Sequence, residues 1–188
     1  KQAIVTLTVR EFAVRRAHVM GAVAEPKALR LEPTADTTAL QAIVEAGGFG
    51  EDANRAGTVV VRSDPAAPGG RIALPVPDRD TPEALAKDVR LQPDDLIVVP
   101  RLDRIYIIGE VTRPGAVNLP AQGGLTVSKA VSLAGGFGRY AKQTTVLLVR
   151  AGAAVREVDV RAVLSGDRKA EDPALQPGDT VYVPESRF

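Results

Sequence analysis

The sequence predicts an α+β protein in which one small fold is used twice, each copy a mixed β-sheet crossed by a single main helix. An internal repeat is the first observation behind this. His18-Val-Met-Gly21, Glu25-Pro26 and Ala46-Gly-Gly-Phe-Gly50 return 88 positions later as Tyr106-Ile-Ile-Gly109, Arg113-Pro114 and Ala134-Gly-Gly-Phe-Gly138. Val59-Val-Val-Arg62 keeps that offset against Leu147-Leu-Val-Arg150. The offset narrows to 84 at Leu91-Gln-Pro-Asp-Asp95 and Leu175-Gln-Pro-Gly-Asp179, so a four-residue difference falls between Arg62 and Leu91. Glycines and prolines that recur in register with apolar runs mark a repeated fold. The second observation is the order of elements inside each copy: two short strands around a proline turn, one helix, then further strands.

Each copy opens with a strand, at residues 16–23 and 104–111, followed by the turns at Pro26 and Pro114 and a second strand at 28–31 and 116–119. Apolar runs broken by such a turn are the signature of a hairpin. Thr38 and Thr126 then stand at matching positions as helix N-caps, their hydroxyls placed to accept from free N–H groups of the first turn. Leu40, Ile43 and Val44, and in the second copy Val127, Ala130, Val131 and Ala134, make an apolar face at helical spacing. Gly47-Gly48 and Gly135-Gly136 stop the helices, because glycine takes the left-handed conformation past a C-cap at little cost. Strands follow at 58–62 and 145–150, and final strands at 96–99 and 180–183. Between them the first copy has a Pro/Gly-rich surface loop at 65–70. The second has a tighter hairpin and a helical turn at 160–164 closed by Gly166. Hairpin, helix and further strands is the element order of a β-grasp. Residues 4–12 alternate β-branched and polar side chains as an additional strand with no counterpart in the repeat.

Composition narrows the function. The chain has 188 residues, 45% of them hydrophobic, and no cysteine, so disulfides, zinc thiolates and thiol chemistry are excluded. It carries 24 basic and 23 acidic residues, a net charge of +1, which supplies no field for nucleic acid; none is expected as a partner. No apolar run reaches the roughly 18 residues of a membrane-spanning helix. The chain begins at Lys1 and reads as a piece of a longer protein.

Possible chemical sites resolve into structural ones. A phosphate-cradling loop places its glycines before a helix, where N–H groups point at the anion. Here the Gly-Gly-Phe-Gly runs follow helices, and Phe49 and Phe137 are expected to pack on the core. His18, the only histidine, has no carboxylate or imidazole at ligand spacing and reads as a surface or interface residue. Asp95 and Asp179 enter strands from a turn, where an aspartate supports the turn through backbone contacts. No nucleophile–base set is present. The expected protein is not an enzyme and has no catalytic residue, cofactor or metal. Gly21, Pro26, Gly47, Gly48 and Phe49, with Gly109, Pro114, Gly135, Gly136, Phe137, Pro177 and Asp179, are read as the structural motif. Tyr106 and Tyr182 are read as structural too. Tyr140, flanked by Arg139 and Lys142, is expected to be exposed. With Glu110 and Arg113 in the other turn, these three form the candidate glycan or partner surface, the alternative being a solvated loop.

The run Ile105-Tyr-Ile-Ile-Gly-Glu-Val-Thr-Arg-Pro-Gly115, then Leu133-Ala-Gly-Gly-Phe137, then Leu175-Gln-Pro-Gly-Asp-Thr-Val-Tyr-Val-Pro184 resembles the soluble-ligand-binding β-grasp (SLBB) domain of outer-membrane polysaccharide export proteins. The first copy departs from that pattern, with Ala22 in place of Glu110, Glu25 of Arg113, Lys27 of Gly115 and Asp94 of Gly178. The resemblance implies three segments: the last strand of an upstream export domain at 1–15, a first SLBB domain at 16–101 and a second at 102–188. It further implies a periplasmic protein associated with the outer membrane through segments outside this chain. There it would scaffold a ring-like passage for capsular polysaccharide or exopolysaccharide. Its implied partners are other subunits of the same protein, an inner-membrane polysaccharide copolymerase and the polymer chain. Two other readings stand beside it: a soluble-glycan or small-ligand receptor, and a docking module of another envelope complex.

Overall fold

A computed structural model describes residues 15–32, 35–78 and 81–186. The strand expected at 4–12, and with it most of the segment 1–15, lies outside the described residues. The chain divides into two units between Pro100 and Arg101.

The first unit runs β1 (Arg16–Gly21), β2 (Lys27–Arg30), α1 (Ala39–Glu45), β3 (Val59–Ser63), β4 (Arg71–Pro75), α2 (Pro82–Leu85) and β5 (Leu96–Val99). The second runs β6 (Arg104–Gly109), β7 (Gly115–Asn118), α3 (Val127–Leu133), β8 (Val146–Val149), β9 (Arg156–Val158), α4 (Val160–Leu164) and β10 (Thr180–Val183). Their sheets have the same order, β2-β1-β5-β3-β4 and β7-β6-β10-β8-β9. Only the central pairs β1–β5 and β6–β10 are parallel; every other pair is antiparallel. This is the mixed sheet with one main helix that the repeat predicts, twice.

Strand alternation builds the two cores. Ala17 and Val19 on β1, Val60 on β3 and Ile97 and Val99 on β5 are buried under Ala39, Ala42 and Ile43 of α1. Ile105 and Ile107, Val146 and Leu148, Val181 and Val183 meet Val127, Ala130 and Val131 of α3 in the same way. Small residues on the helix face let it lie close to the strands. Phe49 and Phe137 are half-buried against these cores and bridge Val23 and Val111.

Several expected details change. The first strand of each unit stops at Gly21 and Gly109, two residues short of expectation, because those glycines turn the chain at φ 98° and 89°. A fourth strand, β4, and a short helix, α2, occupy the segment read as loop and variable region in the first copy. β4 is an edge strand ending in Pro75, and proline at an edge weakens the strand signal without forbidding the strand. Thr38 does cap α1, in a capping box with Gln41. Thr126 has the N-cap backbone but makes no side-chain cap bond. The Ser128 N–H instead donates to Asp172 Oδ1 at 3.0 Å, as the Leu40 N–H donates to Asp88 Oδ2 at 3.1 Å. A carboxylate over forty residues away thus serves the N-terminus of each helix.

A Cβ at Gly21 would lie 2.0 Å from the Val99 carbonyl oxygen, and one at Gly109 would lie 2.1 Å from that of Val183. Backbone cannot yield as a flexible side chain can. Gly21→Ala and Gly109→Ala are expected to cost on the order of 3 kcal/mol or more each in the unit that carries them. Gly48→Ala and Gly136→Ala, where nothing lies within 4 Å, should cost about 1–2 kcal/mol from backbone strain alone. Urea-unfolding midpoints of the four variants check the contrast.

Candidate functional site

Each sheet has two ends with different chemistry. At one end a buried aspartate opens the central strand. The Asp95 and Asp179 side chains are each 1% exposed. Arg62 donates from Nε to Asp95 Oδ1 at 2.9 Å and from Nη2 to Oδ2 at 2.7 Å; the Gln92 N–H adds a bond to Oδ2 at 2.7 Å. Arg150 repeats the fork on Asp179 at 2.8 and 2.7 Å, with the Gln176 N–H at 2.7 Å. The expected turn-supporting role of these aspartates is therefore half the account. The other half is a bidentate ion pair to an arginine in β3 or just past β8, the strong form of charge-assisted hydrogen bond. The Arg150 hydrogen bonds, joined by the Gln176 N–H, outweigh burial and hold the Asp179 carboxyl below its ordinary range. The hydrogen bonds to the aspartates likewise raise Arg62 and Arg150. A carboxylate 1% exposed that takes three hydrogen bonds, two of them from one arginine fork, is a structural clasp.

At the opposite end, the hairpin turn is laced to the Gly-Gly-Phe-Gly turn. In the second unit the Thr112 N–H donates to Gly136 O at 3.1 Å, Arg113 N–H to Ala134 O at 2.8 Å and Gly138 N–H to Glu110 O at 2.9 Å. The first unit has the same frame: Ala24 to Gly48 at 3.2 Å, Glu25 to Ala46 at 2.9 Å and Gly50 to Ala22 at 2.9 Å. The candidate residues Glu110 and Arg113 are thus brought onto the turn that leads to Arg139 and Tyr140. Glu110 reaches over Gly138, where its Oε2 would lie 2.7 Å from an added Cβ, and the Arg113 Nε lies 3.4 Å from one at Gly135. The Arg139 guanidinium stands 5.6 Å from the centroid of the Tyr140 ring, which is half-exposed as expected. Lys142 is held through its backbone N–H to Pro184 O at 2.8 Å and lines a shallow depression with Gln143, Arg161 and Ser186. Four of the five residues share one end of the unit, and Lys142 lies at its flank.

Tyr106 and Tyr182 are a correction. Both lie on the sheet face opposite the helix, Tyr106 48% and Tyr182 38% exposed. Register sets Ile108, Tyr182 and Leu147 side by side across β6, β10 and β8, with Tyr106, Thr180 and Val149 in the next row. The first unit has Met20, Val98 and Val59, then His18, Leu96 and Val61, in the same places. His18, expected at a surface or interface, is exposed there. The second unit therefore leaves Tyr106, Ile108, Val149 and Tyr182 exposed on an apolar sheet face, a pattern that marks interaction surfaces, whereas in the first unit Met20 and His18 are exposed and the four other residues are half-buried. The apolar residues on both sides of these strands carried that signal in the sequence.

Among the described residues, no group of three His, Asp or Glu is placed to hold a metal ion, and no helix is long and apolar enough to cross a membrane. Two family models match the chain, both of the SLBB domain, one over residues 16–74 and the other over 103–183. No curated protein matches it.

Because the folded-state pKa of Asp179 is lowered, its contribution is complete above the unfolded value of about 4 and is lost as pH falls through the folded one. Asp179→Asn is expected to destabilise the second unit at neutral pH. The gap to the unaltered protein should close as pH drops below about 4. Thermal unfolding followed from pH 7 to pH 2 measures this; a gap that stays constant across the range would remove the carboxylate from the explanation.

Proposed function

We propose that this chain, which belongs to the SLBB family as two tandem SLBB domains, is a non-enzymatic scaffolding segment of a polysaccharide export protein. SLBB domains are binding and scaffold domains found in such proteins, and their tandem occurrence here is the observation that carries the reading. In this account the segment works in the periplasm, where copies associate around the path of a capsular or exopolysaccharide chain. Subunits of the same protein and an inner-membrane copolymerase are its partners, and its parent is held at the outer membrane by other segments. The exposed apolar sheet face of the second unit supports it, since a module that associates keeps such a face open until a neighbour arrives. Tyr106, Tyr182 and Tyr140 add half-exposed aromatic rings of the kind that lie against the apolar face of a sugar. The clasps suit a static role, since every charge they bury is paired.

A receptor reading has one observation in its favour. An open groove of about 950 Å³ runs beside α1 in the first unit, lined by Leu40, Val44, Phe49 and Leu85 with Arg55 and Asp88 at its margin. Saturable binding of a small ligand there, lost on Val44→Asp, would favour that reading.

Deleting residues 16–188 in frame from the parent protein tests the export reading. Cell-surface polymer should fall while polymer accumulates inside the envelope, with the truncated protein still present. Unchanged secretion by cells that contain the truncated protein would contradict it.

A further inference from the structure

The shallow depression beside Lys142, about 450 Å³ in volume, is lined by side chains that the fold does not use. Lys142, Gln143, Thr144, Arg161 and Ser186 line it, and all five are exposed. Backbone bonds alone gather them. The Lys142 N–H donates to Pro184 O at 2.8 Å and the Ser186 N–H to Tyr140 O at 2.7 Å, which fastens the segment after β10 to the loop before β8. The N–H groups of Val160 and Arg161 both donate to Gln143 O, at 3.1 and 3.4 Å, which brings α4 to the same loop. Among the described residues, none of the five side chains has a hydrogen-bond or ion-pair partner.

The first repeat gives a comparison inside the same chain. Its Asn54 N–H meets Pro100 O at 2.8 Å as Lys142 meets Pro184 O, so the frame is kept. There the side chains are spent on the fold: Asn54 Oδ1 accepts from the Gly57 N–H at 3.0 Å, and the Arg55 guanidinium lies 4.9 Å from the centroid of the Phe49 ring. Lys142 and Gln143 occupy those two positions in the second repeat and make no such contact. The carboxylates near in sequence stand outside the lining. Asp159 Oδ1 accepts from the Ala162 N–H at 2.9 Å, Glu157 lies opposite Leu147 in the sheet, and Glu185 lines a separate depression with Glu110 and Tyr182. Two cations, two hydroxyls and an amide therefore converge with no acid among them.

We propose that this depression binds a sugar acid, a uronate residue within a glycan chain. Arg161 and Lys142 hold its carboxylate, and Gln143, Thr144 and Ser186 meet its hydroxyls. The planar fork of an arginine matches the two oxygens of a carboxylate, and an ammonium adds a further charge-assisted bond. Amide and hydroxyl side chains both donate and accept, as a sugar hydroxyl does. A bare phosphate is commonly cradled by backbone N–H groups, and those of Lys142, Val160, Arg161 and Ser186 are already committed, which leaves recognition to side chains. The volume lies within the range of small-ligand sites, and a shallow site admits a residue in mid-chain as readily as a chain end. This inference rests on the reading that the segment meets a polysaccharide and narrows that polymer to an acidic one.

Calorimetric titration of the full chain with tri-galacturonate tests it, beside the methyl ester of the same trimer and inorganic phosphate at equal ionic strength. The acid should bind about tenfold or more tightly than the ester, which keeps the ring hydroxyls and loses the charge. It should exceed phosphate, which has charge without the sugar, by a similar factor. Lys142→Gln with Arg161→Gln should weaken the acid about tenfold or more and leave the thermal midpoint unchanged, because neither side chain holds the fold. Lys142→Arg, which keeps the charge, should stay within about threefold. No binding, equal binding of acid and ester, phosphate as tight as the acid, or binding that survives the double substitution would overturn the inference. Polymer export is scored separately in cells that carry the double variant. Binding lost with export normal keeps the site and removes it from the export path. No binding by a protein whose deletion of residues 16–188 still blocks export overturns the site and leaves the export reading standing.

Discussion

Each unit is organised around a buried arginine–aspartate clasp. Asp95 and Asp179 stand where the chain turns into the central strand, and each carboxylate gathers three things at once. Its oxygens take the fork of an arginine, Arg62 on β3 or Arg150 just past β8, and the N–H of the residue three before it, while the aspartate's backbone carbonyl accepts from His18 or Tyr106 on the parallel strand. Left unpaired at that depth, such a carboxylate would be strongly destabilising. Paired, it fixes the start of β5 or β10, and with it the register of the strands on both sides. The β-branched cores supply the bulk of the burial, but the clasp decides which alignment buries them.

The two ends of each sheet have diverged to different degrees. At the clasp end the residues are the same in both repeats, Arg62 with Asp95 and Arg150 with Asp179, and the planar arginine fork matches the two carboxylate oxygens. At the turn end only the frame is kept: two glycines, a phenylalanine and a lattice of backbone hydrogen bonds. Side chains that the frame displays without using are free to differ, and they do: Glu25 against Arg113, Glu51 against Arg139, Arg101 against Glu185 and Asp52 against Tyr140. A rigid scaffold with variable display is the usual division of labour between structure and recognition.

Much of this was legible in the sequence, for local reasons. Proline turns, glycine helix stops and alternating strands are read from neighbours a few residues apart, and they located all four hairpin strands, both main helices and α4. What was not legible depends on residues far apart in the chain. Asp179 was read as a turn residue because Arg150 lies 29 positions away, and Asp172 was not read at all because Ser128 lies 44 away. Thr126 looked like a cap until that distant carboxylate took the helix N-terminus. β4 was hidden by Pro75 and its glycine-rich approach. Of the candidate surface, Glu110, Arg113, Arg139 and Tyr140 lie at one end of the second unit, where backbone hydrogen bonds join the two turns that carry them. Tyr106 and Tyr182 were misread because a strand apolar on both sides does not say which side its helix covers.

The clasp is open to a direct measurement: a double-mutant cycle of Arg62→Met, Asp95→Asn and the pair, by urea unfolding of the first unit at pH 7 and low salt. With the Arg62 side chain 18% exposed and Asp95 1%, the pair is screened little by solvent, and a coupling energy of about 2 kcal/mol or more is expected. Each single variant should also lower stability more than the double, since it leaves one charge buried without its partner. A coupling within about 0.5 kcal/mol of zero would mean that the two residues act independently and that the sheet register is set by the apolar core alone.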